Sequence, residues 1–74
     1  MNDDNFRKML GEWLTEKRKE ANLTQQQAAD RMGCTNTRIS NWENGIRDMS
    51  AKELFRYCEI IRADLNELTV IMQK

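Results

Sequence analysis

Apolar residues recur along this chain at intervals of three and four, the spacing that places them on one face of a helix. Phe6, Met9, Leu10, Trp13, Leu14 and Ala21 make the first such stripe. It predicts a helix beginning after Asp3 or Asp4, whose carboxylates cap the helix and favour its N-terminal dipole, and ending at Asn22 in the left-handed conformation. Gly11 lies inside it at a cost of about 1 kcal/mol relative to Ala, so close packing against Gly11 is expected.

From Leu23 to Gly45 the pattern changes to two short helices around a tight turn. Thr24 and Gln27 form a capping box that opens the first. Gly33 closes it in the left-handed conformation, and Thr35 caps the next. The turn of about three residues is the spacing of a helix-turn-helix, whose helices cross at roughly 90 to 120°. In the second helix, Asn36 to Glu43, Ile39 and Trp42 face inward while Asn36, Thr37, Ser40 and Asn41 lie on other faces with Arg38 beside them. These groups suit base edges, since Asn pairs with adenine, Arg with guanine, and a Thr methyl meets the thymine methyl. An ordinary solvated helix face is the competing reading; the caps and the glycines on either side favour the first.

Ile46 to Met49 reads as a connecting loop in which Arg47 is placed to touch phosphate. Ser50 and Glu53 form a second capping box, opening a helix from about Ala51 to Ile61 that buries Leu54, Tyr57, Cys58 and Ile61. Asp64 and Glu67 form a third, opening a last helix from about Leu65 to Gln73. Leu65, Leu68 and Met72 make one face of it. Val70 and Ile71 widen that face beyond what one small core covers, which suggests a second surface to bury. Leu68, Val70, Ile71 and Met72 are therefore expected to pair two copies across a two-fold axis, the alternative being a terminal helix packed only on its own domain.

Taken together, Arg18, Leu23-Thr24-Gln25, Ala28-Ala29, Gly33, Ile39-Ser40 and Trp42-Glu43-Asn44-Gly45 resemble the phage repressor and Cro family of helix-turn-helix proteins, over about Leu10 to Leu68. The resemblance implies an all-α fold: a compact five-helix lambda-repressor-like domain with the helix-turn-helix at helices 2 and 3, acting as a dimer on a pseudo-palindromic operator. It puts base reading on Asn36, Thr37 and Asn41 with Arg38 as a further contact, and phosphate contacts on Gln25 and Asn44. Lys52, in the first turn of the fourth helix, falls where the family approaches the DNA backbone. Arg18 and Glu43 correspond to the family's ion pair between helix one and the end of the recognition helix. The chain departs from the common pattern at Lys17, where an apolar residue is frequent, at Cys34, and at Asp48-Met49, where Pro is frequent.

Composition modifies this picture in one respect. Twelve basic residues balance twelve acidic ones, and the pI is about 6.2, against the basic character common in nucleic-acid binders. Between Gln25 and Arg47, however, Arg31, Arg38 and Arg47 face only Asp30 and Glu43, and the pairing with Arg18 would consume Glu43. Acidic residues collect instead at Asp3, Asp4, Glu12, Glu16 and Glu20, and at Glu59, Asp64 and Glu67. A mildly positive face on a neutral body follows, with weak nonspecific affinity and a shallow salt slope. Lys17 and Lys19 read as part of a solvated face.

The 74 residues fit one domain, 1–74, with a small core. Cys34 and Cys58 form no CxxC pair and there is no His, so buried reduced thiols are expected and no metal or other cofactor. The opening residues are too polar for a signal peptide, and no run approaches the roughly 20 apolar residues needed to span a membrane. The expected partners are double-stranded operator DNA and a second copy of the chain, with no membrane and no small-molecule ligand, in the cytoplasm of a bacterial or phage-encoded system. Without a nucleophile and base or a phosphate loop, an enzyme is not expected. The alternatives to a Cro-like or repressor-like regulator are an antitoxin or other interaction module on the same fold, and a restriction-modification controller; the shortness of the chain after Met72 favours the regulator.

Overall fold

The structure, a computed structural model, describes the backbone of residues 3–72 and the side chains of residues 4–71. Five helices follow one another: α1 (Asp3–Glu20), α2 (Gln25–Met32), α3 (Asn36–Glu43), α4 (Ala51–Ile61) and α5 (Leu65–Met72), and the described residues contain no strand. The first helix starts slightly earlier than its sequence suggests, with Asp3 already helical. The side chain of Asp3 lies outside the described residues, as do Gln73 and the side chain of Met72.

Local chemistry sets most boundaries. Asn22 closes α1 at φ 61°, and the carbonyls of Lys17, Arg18 and Lys19 accept the N–H groups of Ala21, Leu23 and Asn22. Thr24 accepts from the Gln27 N–H while the Gln27 side chain accepts from the Thr24 N–H, the full reciprocal box. Gly33 turns left-handed at φ 76°, and its N–H and that of Cys34 both reach the Ala29 carbonyl. Thr35 then caps α3 through the Arg38 N–H. Ser50 and Glu53 cap α4 reciprocally, and Arg62 ends it in the left-handed region at φ 56°.

The expected third box does not form, although Asp64 still caps the helix. Asp64 accepts from the Asn66 N–H at 2.9 Å, but the Glu67 carboxylate turns to Lys17, 2.6 Å from Nζ. A charge-assisted bond to an ammonium is stronger than one to a neutral backbone N–H, which accounts for the choice. Lys17 is consequently half-buried and paired, not solvated; it also reaches Glu20 at 3.4 Å. Its pKa rises, chiefly through the bond to Glu67. An ion pair thus ties α1 to α5 at a position where apolar packing is the common solution.

The core is built from Leu10, Trp13 and Leu14 of α1, Ala28 and Ala29 of α2, Ile39 and Trp42 of α3, Tyr57, Cys58 and Ile61 of α4, and Leu68 of α5. Leu54, expected inside, is only half-buried, and so is Cys34. Trp42 meets Tyr57 edge-on, with ring centroids 5.6 Å apart at 61°, the geometry that aromatic quadrupoles favour. Gly11 explains how α1 and α3 come so close. A methyl there would overlap the Glu43 carbonyl oxygen and lie 2.7 Å from that of Trp42.

Candidate nucleic-acid interface

The inner side of α3 is fixed from three directions. Ile39, Trp42 and Glu43 are buried. Arg18 Nε donates to Glu43 Oε2 at 2.6 Å and its Nη2 to Oε1 at 3.1 Å, a two-pronged bond in the family's expected pairing. The remaining Nη1 donates to the Leu23 carbonyl at 2.7 Å. Gln25, the first residue of α2, gives its Nε2 to Glu43 Oε1 at 3.0 Å. One carboxylate therefore joins α1, α2 and the end of α3. Ion pairs taken from water gain little net stability, so the consequence of this one is positional: α3 is held at one end against both neighbours.

The outer side carries the polar groups. Asn36 and Thr37 are exposed, while Arg38, Ser40 and Asn41 are half-buried. Two of them are oriented by their surroundings. Asn36 Nδ2 donates to Gln26 Oε1 at 3.4 Å, and Gln26 Nε2 donates to Asp30 Oδ1 at 2.9 Å. Since Asp30 can only accept, it fixes which end of the Gln26 amide faces Asn36. Asn36 is left with one N–H and its carbonyl oxygen outward, the pair that adenine N7 and N6 complement. Arg38 Nη1 lies 3.5 Å from Glu53 Oε2 on α4. Thr37 and Asn41 make no side-chain hydrogen bond to the described residues.

Around this face, Asn44, Arg47 and Lys52 are exposed. Asn44 donates through Nδ2 to Ser40 Oγ at 3.2 Å. The loop holding Arg47 folds back on α3, with the N–H groups of Ile46 and Arg47 both directed at the Asn41 carbonyl, at 2.9 and 3.4 Å. Gln25 is committed on one side to Glu43, so only the rest of its amide faces outward. The charge balance resolves locally: Glu43 is paired with Arg18 and Asp48 with Arg7 at 3.2 Å. Arg47 and Lys52 remain as surface cations beside α3. No sequence signal marked Arg7, because it meets Asp48 from the far end of α1; the Gln26–Asp30 pair, by contrast, has the readable i,i+4 spacing.

On α5 the expected pairing residues part company. Leu68 is spent in the domain's own core at 6% exposure, Ile71 is half-buried against that core, and Val70 is exposed at 62%. The Met72 side chain lies outside the described residues. Phe55 on α4, 60% exposed, is a large apolar surface residue that the helical pattern did not single out. A cleft of about 650 Å³ runs along the ends of α1 and α4 past Lys17, Arg31 and Asp64, and no residue of α3 lines it. Among the described residues no helix is long and apolar enough to cross a membrane.

Five helices with a locked, polar-faced third helix behind a glycine turn define a helix-turn-helix DNA-binding protein. The helix-turn-helix family profile matches residues 14–68, and the chain belongs to that family, in its Cro/C1-type branch of non-enzymatic DNA-binding transcriptional regulators. It is 41% identical over 61 residues to the ImmF control region 10 kDa protein of Bacillus phage phi105, covering 82% of this chain and 68% of that one. The fold is similar to the crystal structure of the clp gene regulator ClgR from C. glutamicum, with a TM-score of 0.81 at 22% identity, covering 86% of this chain and 82% of the other.

Proposed function

We propose that this regulator binds a pseudo-palindromic operator as a homodimer, laying α3 in the major groove in the cytoplasm of its host. Asn36, Thr37, Arg38 and Asn41 would read base edges. Gln25, Asn44, Arg47 and Lys52 would hold the sugar-phosphate backbone, and the whole chain, 1–74, would act as one domain. The observation that carries this reading is the contrast between the two sides of α3: Ile39, Trp42 and Glu43 are buried and clamped, whereas Asn36 and Thr37 project into solvent. A polar helix face held so firmly is preorganised for contact. The likeness to a phage control region protein supports a regulatory rather than an antitoxin role.

In the dimer, a surface on α5 centred on Val70 and the exposed part of Ile71 would set the two recognition helices about 34 to 36 Å apart, one turn of DNA. Random-site selection with the purified protein tests the whole reading, because it returns sequence, symmetry and half-site spacing together. Enrichment of an inverted repeat is expected; a pool with no enriched sequence would leave the interaction-module reading in front. Sedimentation of Val70→Glu and Ile71→Glu beside the intact chain tests the dimer surface, and an unchanged mass for all three would remove it.

A further inference from the structure

Arg38 is the only cation in α3, and Glu53 of α4 holds it at 3.5 Å. That carboxylate is not on a loose stem. Its other oxygen accepts the Ser50 N–H at 2.8 Å as part of the α4 cap, so its position is set by the backbone. The Ser50 bond, ahead of the nearby Arg38 and Arg47 charges, also keeps Glu53 ionised by lowering its pKa. A fixed anion therefore sits near Arg38 and within the influence of Arg47, beside the face proposed to meet a polyanion. While Nη1 faces Glu53, the rest of the guanidinium is open to a base or a phosphate, but its charge is partly offset and its direction is biased towards α4.

We infer that Glu53 is an affinity-setting residue, which restrains Arg38 in the free protein and keeps operator binding weaker than α3 alone would make it. The inference rests on Arg38 facing the duplex, as proposed above. Both partners are partly solvated, with side-chain exposures of 39% and 28%. Pairs of this kind are worth up to about a fivefold change in an equilibrium constant, so Glu53 grades binding and does not switch it.

Glu53→Gln is the direct test, since Gln also occupies the third position of capping boxes and keeps the side chain's shape while removing the charge. Affinities of wild type, Glu53→Gln, Arg38→Ala and the double variant are read by fluorescence anisotropy on the duplex returned by random-site selection. The temperature is one at which circular dichroism shows all four folded. Glu53→Gln is expected to tighten binding about 3- to 5-fold in the wild-type background and less than about twofold beside Arg38→Ala. The plot of log affinity against log salt should steepen, by up to about 0.9, only where Arg38 is present. Equal tightening in both backgrounds, or none, overturns the inference, because Glu53 would then act through bulk charge or not at all. If Arg38→Ala alone leaves affinity unchanged, Arg38's place on the duplex is what has failed, and the inference falls with it.

Discussion

Adding a single methyl at Gly11 sets two effects of opposite sign against each other. In an exposed helix Gly11→Ala would gain about 1 kcal/mol from propensity. Here the methyl would overlap the Glu43 carbonyl oxygen and lie 2.7 Å from that of Trp42. Both obstacles are backbone, which cannot rotate aside, so α1 and α3 must separate. Overpacking of this kind costs about 1–3 kcal/mol or more, and the separation would also stretch the Arg18–Glu43 bonds of 2.6 and 3.1 Å. The upper end therefore applies, and the net loss is about 2 kcal/mol. A chain of this length has about 4–11 kcal/mol in all, and the loss should lower Tm by roughly 8–16 °C. Thermal unfolding followed by far-ultraviolet circular dichroism measures it. Gly33→Ala is the natural comparison, because its methyl would meet nothing within 4 Å and only the left-handed backbone penalises it, by about 1–2 kcal/mol. A Tm for Gly11→Ala equal to or above wild type would refute the close approach of α1 and α3.

Arg18→Met should cost about 3–5 kcal/mol in urea unfolding by stranding a buried carboxylate, and adding Glu43→Met should recover much of it; a double variant as unstable as the single one would count against the pair. Arg62→Gly should raise Tm by several degrees, since Arg62 holds φ 56° at the end of α4 and glycine removes a penalty of about 1 kcal/mol. Burial pushes the Cys58 thiol up to about 11 and moves the Tyr57 hydroxyl upward as well. The unfolded chain then loses these protons first, so stability is complete below about pH 8.5 and declines as pH climbs towards the folded values. A urea midpoint that stays constant from neutral pH to about 10.5 would contradict this.

The caps were readable because they are local: Thr24 with Gln27 and Ser50 with Glu53 lie three residues apart, and no other part of the fold need be known to place them. Asp64 with Glu67 has the same spacing and forms no box: Asp64 caps through the Asn66 N–H, and Lys17 arrives from a different helix to take the Glu67 carboxylate. The same distinction separates the contacts around the polar face of α3. Gln26 with Asp30 is visible as one helical turn, whereas Arg38 with Glu53 and Arg7 with Asp48 exist only once the helices have docked. Apolar spacing carries a similar limit. It assigns Ile39, Trp42, Tyr57 and Ile61 inward, yet it could not tell that Leu54 would stay half-buried or that Leu68 would be used up by its own core.

At eight residues, α3 is shorter than the roughly 12–15 that an isolated helix needs to persist in water. Its shape is a property of the docked core. Variants that regulate normally in the cold and fail on warming should therefore arise at Leu14, Tyr57 or Ile61, all buried in the core. Lesions at Thr37 or Asn41 should instead fail at every temperature. A genetic screen would thus divide the chain into two phenotypic classes whose boundary runs lengthwise through α3.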